Sequence, residues 1–175
     1  MGFTMDLDKA VLDVANLMAL SAKTAPKAAG QDYIEIVILD KKQCEKLGED
    51  MIAFAKDTKQ PLFERDGKGV KNASAMLLIG LKKHQGVGLE CGACGHACKF
   101  ETKKGKDFVG PNCDVRVIDL GIALGSAVKT AQIHNVDNRI MYRAATIAMK
   151  QGLIDSTFCM GIPLSATGKN IFWDR

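Results

Sequence analysis

Cys91, Cys94, Cys98 and Cys113 lie in the run ECGACGHACKF and the GPNC after it, spaced as CxxCxxxC, fourteen residues and a final Cys. Thiolates are soft metal ligands, and four of them in so short a stretch suit a chain wrapped around a metal centre. Zinc sites usually pair two short knuckles with two ligands each. Here three cysteines fall within eight positions and the fourth is remote, a three-plus-one layout closer to that of a 4Fe-4S cluster. One-electron redox chemistry is therefore the first expectation, and a colourless, zinc-stabilised interaction domain is the alternative. His96 could replace a sulfur, but four cysteines suffice and a solvent-facing loop position is expected for it. Cys44 and Cys159 fall in apolar segments and read as small core residues. A thiol nucleophile needs a histidine beside it, and the spacing of His84, His96 and His134 selects none.

The formal net charge is +4, and much of it surrounds the cysteines: Lys82, Lys83, Lys99, Lys103, Lys104 and Lys106 stand against Glu90, Glu101 and Asp107. Nearby cations favour the more negative, reduced state of a cluster, so these lysines are expected to raise its potential and to offer a face to an acidic redox partner. Solubilising charge is the plain alternative. A nucleic-acid groove needs aromatic platforms among its cations, and only Phe100 and Phe108 are at hand, so no nucleic acid is expected. The run Ser165-Ala166-Thr167-Gly168-Lys169 lacks phosphate-loop spacing, because six residues separate Gly161 from Gly168 and Asn170 follows Lys169. Its hydroxyls and lysine still make it a candidate for an anionic ligand.

The elements that must position these groups follow from periodicity. Leu7, Val11, Val14 and Met18 predict a helix over Leu7 to Lys23, and Ile34, Ile36, Val37 and Ile38 a buried strand over Tyr33 to Leu39. Asp40 and Gln43 form a capping-box pattern, opening a helix with Cys44, Leu47, Met51 and Phe54 on one side. Asp57 to Ser74 reads as a connection with at most a short helical turn, and Met76 to Leu81 as a second buried strand. From Lys82 to Asn112 glycine is too frequent for a regular element of any length, and it lets backbone amides approach the sulfurs. Val115 to Ala127 is apolar nearly all round and predicts a central helix packed on several sides. Gly121 and Gly125 share one face of it, where their cost to the helix calls for a close packing partner. Pairing inside a membrane is disfavoured by Arg116, Asp119 and Lys129. Asp137 to Gln151 predicts another helix, Thr157 to Ile162 a last strand ending at Pro163, and Leu164 to Asn170 a polar loop before the tail Ile171 to Arg175.

With 175 residues, 47% hydrophobic and 25% charged, the chain is expected to form one domain, 1–175, with 82–113 as an inserted cluster loop. Asp6 and Asp8 stand where an export signal would be basic, Asp6 also breaks a myristoylation pattern, and no run is long enough to span a bilayer. A cytoplasmic location with no membrane partner is expected, where thiols stay reduced.

Five segments together resemble a known group: Thr24 to Ala28, Cys91 to Gly95, Gly110 to Cys113, Asp119 to Ala131 and Met160 to Asn170. The chain resembles a microbial family of uncharacterised ferredoxin-domain-containing proteins, over essentially its whole length. Its cysteine loop is also similar to the small 4Fe-4S domain of corrinoid iron-sulfur proteins, which implies Cys91, Cys94, Cys98 and Cys113 as cluster ligands. That domain usually has four residues between the second and third cysteines, and here there are three. A weaker resemblance, carried by Thr24 to Lys27 and Gly161-Ile162-Pro163, is to flavin-dependent nitroreductases. It implies an α+β, layered α/β/α fold, a homodimer, and FMN near Thr24, Pro26, Lys27, Ser165 and Lys169. The arginines that clamp the flavin phosphate in those enzymes have no counterpart before Arg65, leaving lysines such as Lys23, Lys27 or Lys169 for the role. Two functions follow: an electron-transfer protein, or an oxidoreductase whose cluster feeds FMN.

Overall fold

Asp6 opens the first helix, its carboxylate accepting the Lys9 amide at 3.0 Å, and α1 runs Leu7–Thr24. The computed structural model describes residues 4–173, so the expectations for residues 1–3 and for Asp174 and Arg175 lie outside the described residues. A turn at Ala28–Gly30 leads into β1 (Ile34–Leu39). The capping box at Asp40 and Gln43 forms as expected, with reciprocal bonds of 2.9 and 3.0 Å, and starts α2 (Lys41–Thr58). There follow α3 (Pro61–Lys71), β2 (Ala75–Leu81), the long loop with the short hairpin β3 (Lys103–Lys104) and β4 (Val109–Gly110), and α4 (Asp114–Ile133). The chain closes with β5 (Asp137–Asn138), α5 (Tyr142–Lys150) and β6 (Phe158–Ser165).

Four strands pair antiparallel in the order β1-β2-β6-β5, with Leu78 opposite Val37 on one side and Gly161 on the other. Successive strand residues face opposite sides, and β2 is buried on both. Leu77, Ile79 and Leu81 meet Val11, Ala15 and Met18 of α1 and Leu120, Ala123 and Ala127 of α4. Met76 and Leu78 meet Leu47 and Met51 of α2, Phe63 and Val70 of α3, and Ala144 and Ala148 of α5. Helices thus cover both faces of the sheet, the layered α/β/α arrangement expected from the sequence.

Four local expectations are corrected. The segment Asp57 to Ser74 contains the eleven-residue helix α3. Gly67 is a contact point: a Cβ there would lie 3.0 Å from the Gly48 carbonyl and 3.0 Å from Met51 Cβ, so it lets α2 and α3 approach closely. Asp137 and Asn138 are strand, paired with Ser165 and Leu164, and the helix starts only at Tyr142. Strand β6 runs through Pro163 to Ser165. Gly161 exchanges both backbone bonds with Met141, so by alternation Pro163 turns its nitrogen toward the same side, opposite Arg139, where the ladder is interrupted and no donor is needed. Finally, α4 is not enclosed on all sides: Ile118, Gly121, Ile122 and Gly125 form an exposed stripe, and the element buried all round is β2.

Candidate metal centre

The cysteine loop leaves the sheet where β2 ends and returns at the first turn of α4. Lys82 still donates its amide to the Tyr33 carbonyl at 2.9 Å, and the next bend turns His84 inward. The Cys113 amide donates to His84 Nε2 at 3.1 Å, and His84 Nδ1 lies 2.9 Å from the Lys82 carbonyl. An amide can only donate, so Nε2 carries a lone pair and Nδ1 the proton: the imidazole is neutral. Burial pushes its pKa down against the pull of the Lys82 carbonyl, and the charge of Arg116 pushes the same way as burial. The ring lies 6.0 Å from those of Tyr33 and Phe100. This one side chain ties both ends of the loop together.

Arg116, 0% exposed, lies one turn into α4. It donates to the carbonyls of Ala28 (2.8 Å) and Gln31 (3.3 Å), to the Gln31 side chain and to Asp119 (3.4 Å), and its guanidinium sits 4.8 Å from the centre of the Tyr33 ring. Asp119 accepts the Ala28 amide at 2.9 Å. A buried charge persists only when paired and hydrogen-bonded, and here the pair clamps the α1–β1 connection against α4.

Within the loop, Cys91 is exposed, Cys94 and Cys98 are half-buried, Cys113 is buried, and all are free thiols. Cys98 is the most closely held. Its carbonyl accepts the Gly86 amide at 2.9 Å, its amide donates to Glu90 Oε2 at 3.2 Å, and its sulfur accepts the Glu90 amide at 3.4 Å. A Cβ on Gly86 would lie 2.7 Å from Cys98 Cα, so this close approach requires glycine. Among the described residues no three Cys, His, Asp or Glu side chains are gathered as a metal-holding group. The donor set has the chemistry of a cluster site, while its four sulfurs do not converge in this arrangement. Cys113 precedes a twenty-residue helix, whose N-terminus offers partial positive charge to an anionic group there. His96 is exposed, as expected.

None of the six loop lysines forms an ion pair among the described residues, whereas Asp107, the hairpin's carboxylate, accepts from Tyr142 (2.5 Å) and Lys150 (3.3 Å). An open hollow of about 570 Å³ runs along the hairpin from Lys103 to Asn112. Another, of about 430 Å³ between α3 and the C-terminal segment, contains neither a cysteine nor a flavin candidate.

The flavin candidates separate into two groups. Thr24, Pro26 and Lys27 lie at the end of the sheet where β1 begins; there Lys27 donates to the carbonyls of Ala22 (3.2 Å), Lys23 and Ala25 (2.7 Å) and so caps α1. Ser165 ends β6 at the opposite end of the sheet, beyond the Leu164–Ala75 pair, and its buried hydroxyl has no partner. Lys169 is exposed in the following loop. A single chain does not bring the two groups together. Sequence reasoning missed His84, one of three histidines with nothing local to single it out. Arg116 and Asp119 carried a signal, two charges three residues apart inside an apolar helix.

The fold is nitroreductase-like. The FMN-dependent nitroreductase NfnB from Mycobacterium smegmatis, solved with NADPH, matches with a TM-score of 0.60 at 10% identity over 90% of this chain and 78% of its own. A nitroreductase with bound FMN from Bacteroides fragilis gives 0.54 at 13% over 90% and 79%, and NfrA2 of B. megaterium 0.56 at 14% over 90% and 58%. The chain thus spans little more than half of the last of these. Its family is narrower: the chain belongs to the uncharacterized proteins containing a ferredoxin domain, whose signature matches residues 109–175 and so includes Cys113. An uncharacterized protein of Archaeoglobus fulgidus is 48% identical over 165 residues, 92% of this chain and 89% of its own length.

Proposed function

We propose that this chain is a one-electron transfer protein that holds a 4Fe-4S cluster on Cys91, Cys94, Cys98 and Cys113 and exchanges electrons with an acidic partner protein. The placement of Cys113 carries the reading. Its amide is held by His84, it stands at the positive end of α4, and the three other loop thiols are free. Gly88, Gly92 and Gly95 have positive φ, turns that glycine takes without strain, and such turns would let the four thiols gather to hold the cluster. Once bound, the cluster supplies the site that gains and loses an electron. The chain's part is to anchor Cys113, to set the charge around the site and to present Lys103, Lys104 and Lys106 to the partner. Six free thiols belong in a reducing compartment, and the cytoplasm is the proposed location. Neither nucleic acid nor a membrane enters the proposal; among the described residues no helix is long and apolar enough to cross one.

A second reading, an oxidoreductase that also binds FMN, is favoured by the fold and by the unpartnered hydroxyl of Ser165. Purification without oxygen, with iron, sulfide, zinc and flavin measured together, separates the readings. About four irons and four sulfides per chain with no flavin are expected. Zinc in a colourless protein sinks the cluster, and stoichiometric flavin beside iron moves the function to the enzyme.

A further inference from the structure

Cys98 is held at its amide, its carbonyl and its sulfur, and among the described residues no other cysteine of the loop is held at all three. Glu90 makes two of these bonds: its carboxylate accepts the Cys98 amide at 3.2 Å, and its own amide donates to the Cys98 sulfur at 3.4 Å. The two residues close a ring of chain around Cys91 and Cys94. To do so Glu90 stands in left-handed backbone, with φ at +45°. The other left-handed positions of the loop are Gly88, Gly92 and Gly95, so only at position 90 is a side chain kept where glycine would be free of strain. Backbone strain of this kind persists where the side chain has a task. The carboxylate of Glu90 has no ion pair among the described residues, and its hydrogen bond runs to the amide of a cysteine.

We propose that Glu90 is a positioning residue, which fixes Cys98 as one of the four thiolates of the metal centre. This rests on the loop being a metal centre, but not on which metal it holds. Only three residues separate Cys94 from Cys98, which leaves little slack to bring that thiol round from the Cys94 side. The clasp from Glu90 sets it from the opposite side. A carboxylate accepting a backbone amide makes a charge-assisted bond, stronger than the bond of a neutral acceptor. Gly86 completes the hold: its amide reaches the Cys98 carbonyl at 2.9 Å, two residues from the His84 that holds Cys113. Cys98 and Cys113 are thus both tied to the short stretch that leaves β2, while Cys91 and Cys94 lie between the ends of the Glu90 clasp.

Cobalt(II) added to the full chain, metal-free, reduced and without oxygen, tests it, because each thiolate on the ion adds to the sulfur-to-cobalt absorbance. Cys98→Ser is expected to lower that absorbance below the native level. Glu90→Gly removes the carboxylate and the backbone strain together, and Glu90→Ala removes the carboxylate without loosening the chain. Both are expected to bind cobalt roughly tenfold more weakly than the native chain, with absorbance down to the Cys98→Ser level. Glu90→Gln keeps an acceptor oxygen in the same place and is expected to stay within about threefold of native affinity, at full absorbance. Far-UV circular dichroism should be the same for all four. Native affinity and absorbance in Glu90→Gly or Glu90→Ala overturn the proposal, as does a Glu90→Gln as weak as Glu90→Ala or a native absorbance no higher than that of Cys98→Ser. The metal found in the protein as purified does not enter this comparison, so finding zinc there would sink the cluster and leave the role of Glu90 standing.

Discussion

Cys159 and Cys98 are built into the same chain on opposite terms. Cys159 lies in β6 opposite Gly80 of β2, fully buried, and its thiol is pushed up to about 12 by burial and then by the charge of Glu35. Cys98 is half-buried, its backbone held by Gly86 and Glu90, and its sulfur faces an amide. The layered body uses sulfur as a small apolar group and draws its order from burial on both faces of one sheet. The loop draws its order from backbone bonds, glycine joints and the His84 tie, and leaves its thiols available as ligands. Stability and chemistry therefore reside in different regions, and mutations in one should leave the other largely intact.

The sharpest test lies where the regions meet. Arg116→Met leaves Asp119 buried without its cation and is expected to cost about 3–5 kcal/mol in urea unfolding. Adding Asp119→Leu should recover part of that loss; a single variant as stable as the native chain would show that the clamp carries no weight. In the body, Leu78→Ala opens a cavity between the sheet and α2, at about 2–5 kcal/mol. The loop counterpart, Leu89→Ala at a residue 64% exposed, should stay within about 0.5 kcal/mol. Equal losses at the two leucines would erase the distinction between body and loop.

Exchanging sulfur for oxygen separates the two kinds of cysteine. Cys159→Ser buries a hydroxyl at a cost of about 1–3 kcal/mol yet should keep the visible absorbance of the anaerobic protein. Cys113→Ser should lose most of that absorbance. Equal loss in both would remove Cys113 from the ligand set.

The smallest effect concerns the hairpin's anchor on α5. The Tyr142 hydroxyl holds the Asp107 carboxyl below its usual range, with Lys150 assisting, and the same bond pushes the Tyr142 phenol up to about 12. Asp107 thus stabilises the folded hairpin fully above the ordinary carboxyl value near ~4, and loses this as pH falls through its lowered pKa. For Tyr142 the contribution is full below about 10 and is lost as pH rises through about 12. The chain has two tyrosines, so an ultraviolet titration can resolve them. Asp107→Asn should bring the Tyr142 phenol back down toward its ordinary value, leaving only the smaller upward push of burial; a native titration curve unchanged by the substitution would show the hairpin to be unanchored there.

Much of the body could be read from neighbouring residues. The stripe of α1, the Asp40–Gln43 box and the all-apolar run of β2 are local patterns, and the structure repeats them nearly residue for residue. Helix α3 was hidden because Gly67 and Gly69 resemble breakers until α2 is seen packed against the first and Phe172 against the second. For β5, two polar residues carry no strand pattern, and only the edge of β6 gives them a partner.

The candidate site divides in the same way. By itself the sequence determined the four thiols, their spacing and the lysines around them, because ligand chemistry and charge are properties of residues in order. Only the tertiary structure could decide that His84 secures Cys113 across 29 positions, that Arg116 reaches Ala28 across 88, that Pro163 is harmless inside a sheet, and that the glycine face of α4 is open. Each depends on a partner far away in the chain, and such a partner leaves no periodicity, composition or spacing in the residues that will meet it.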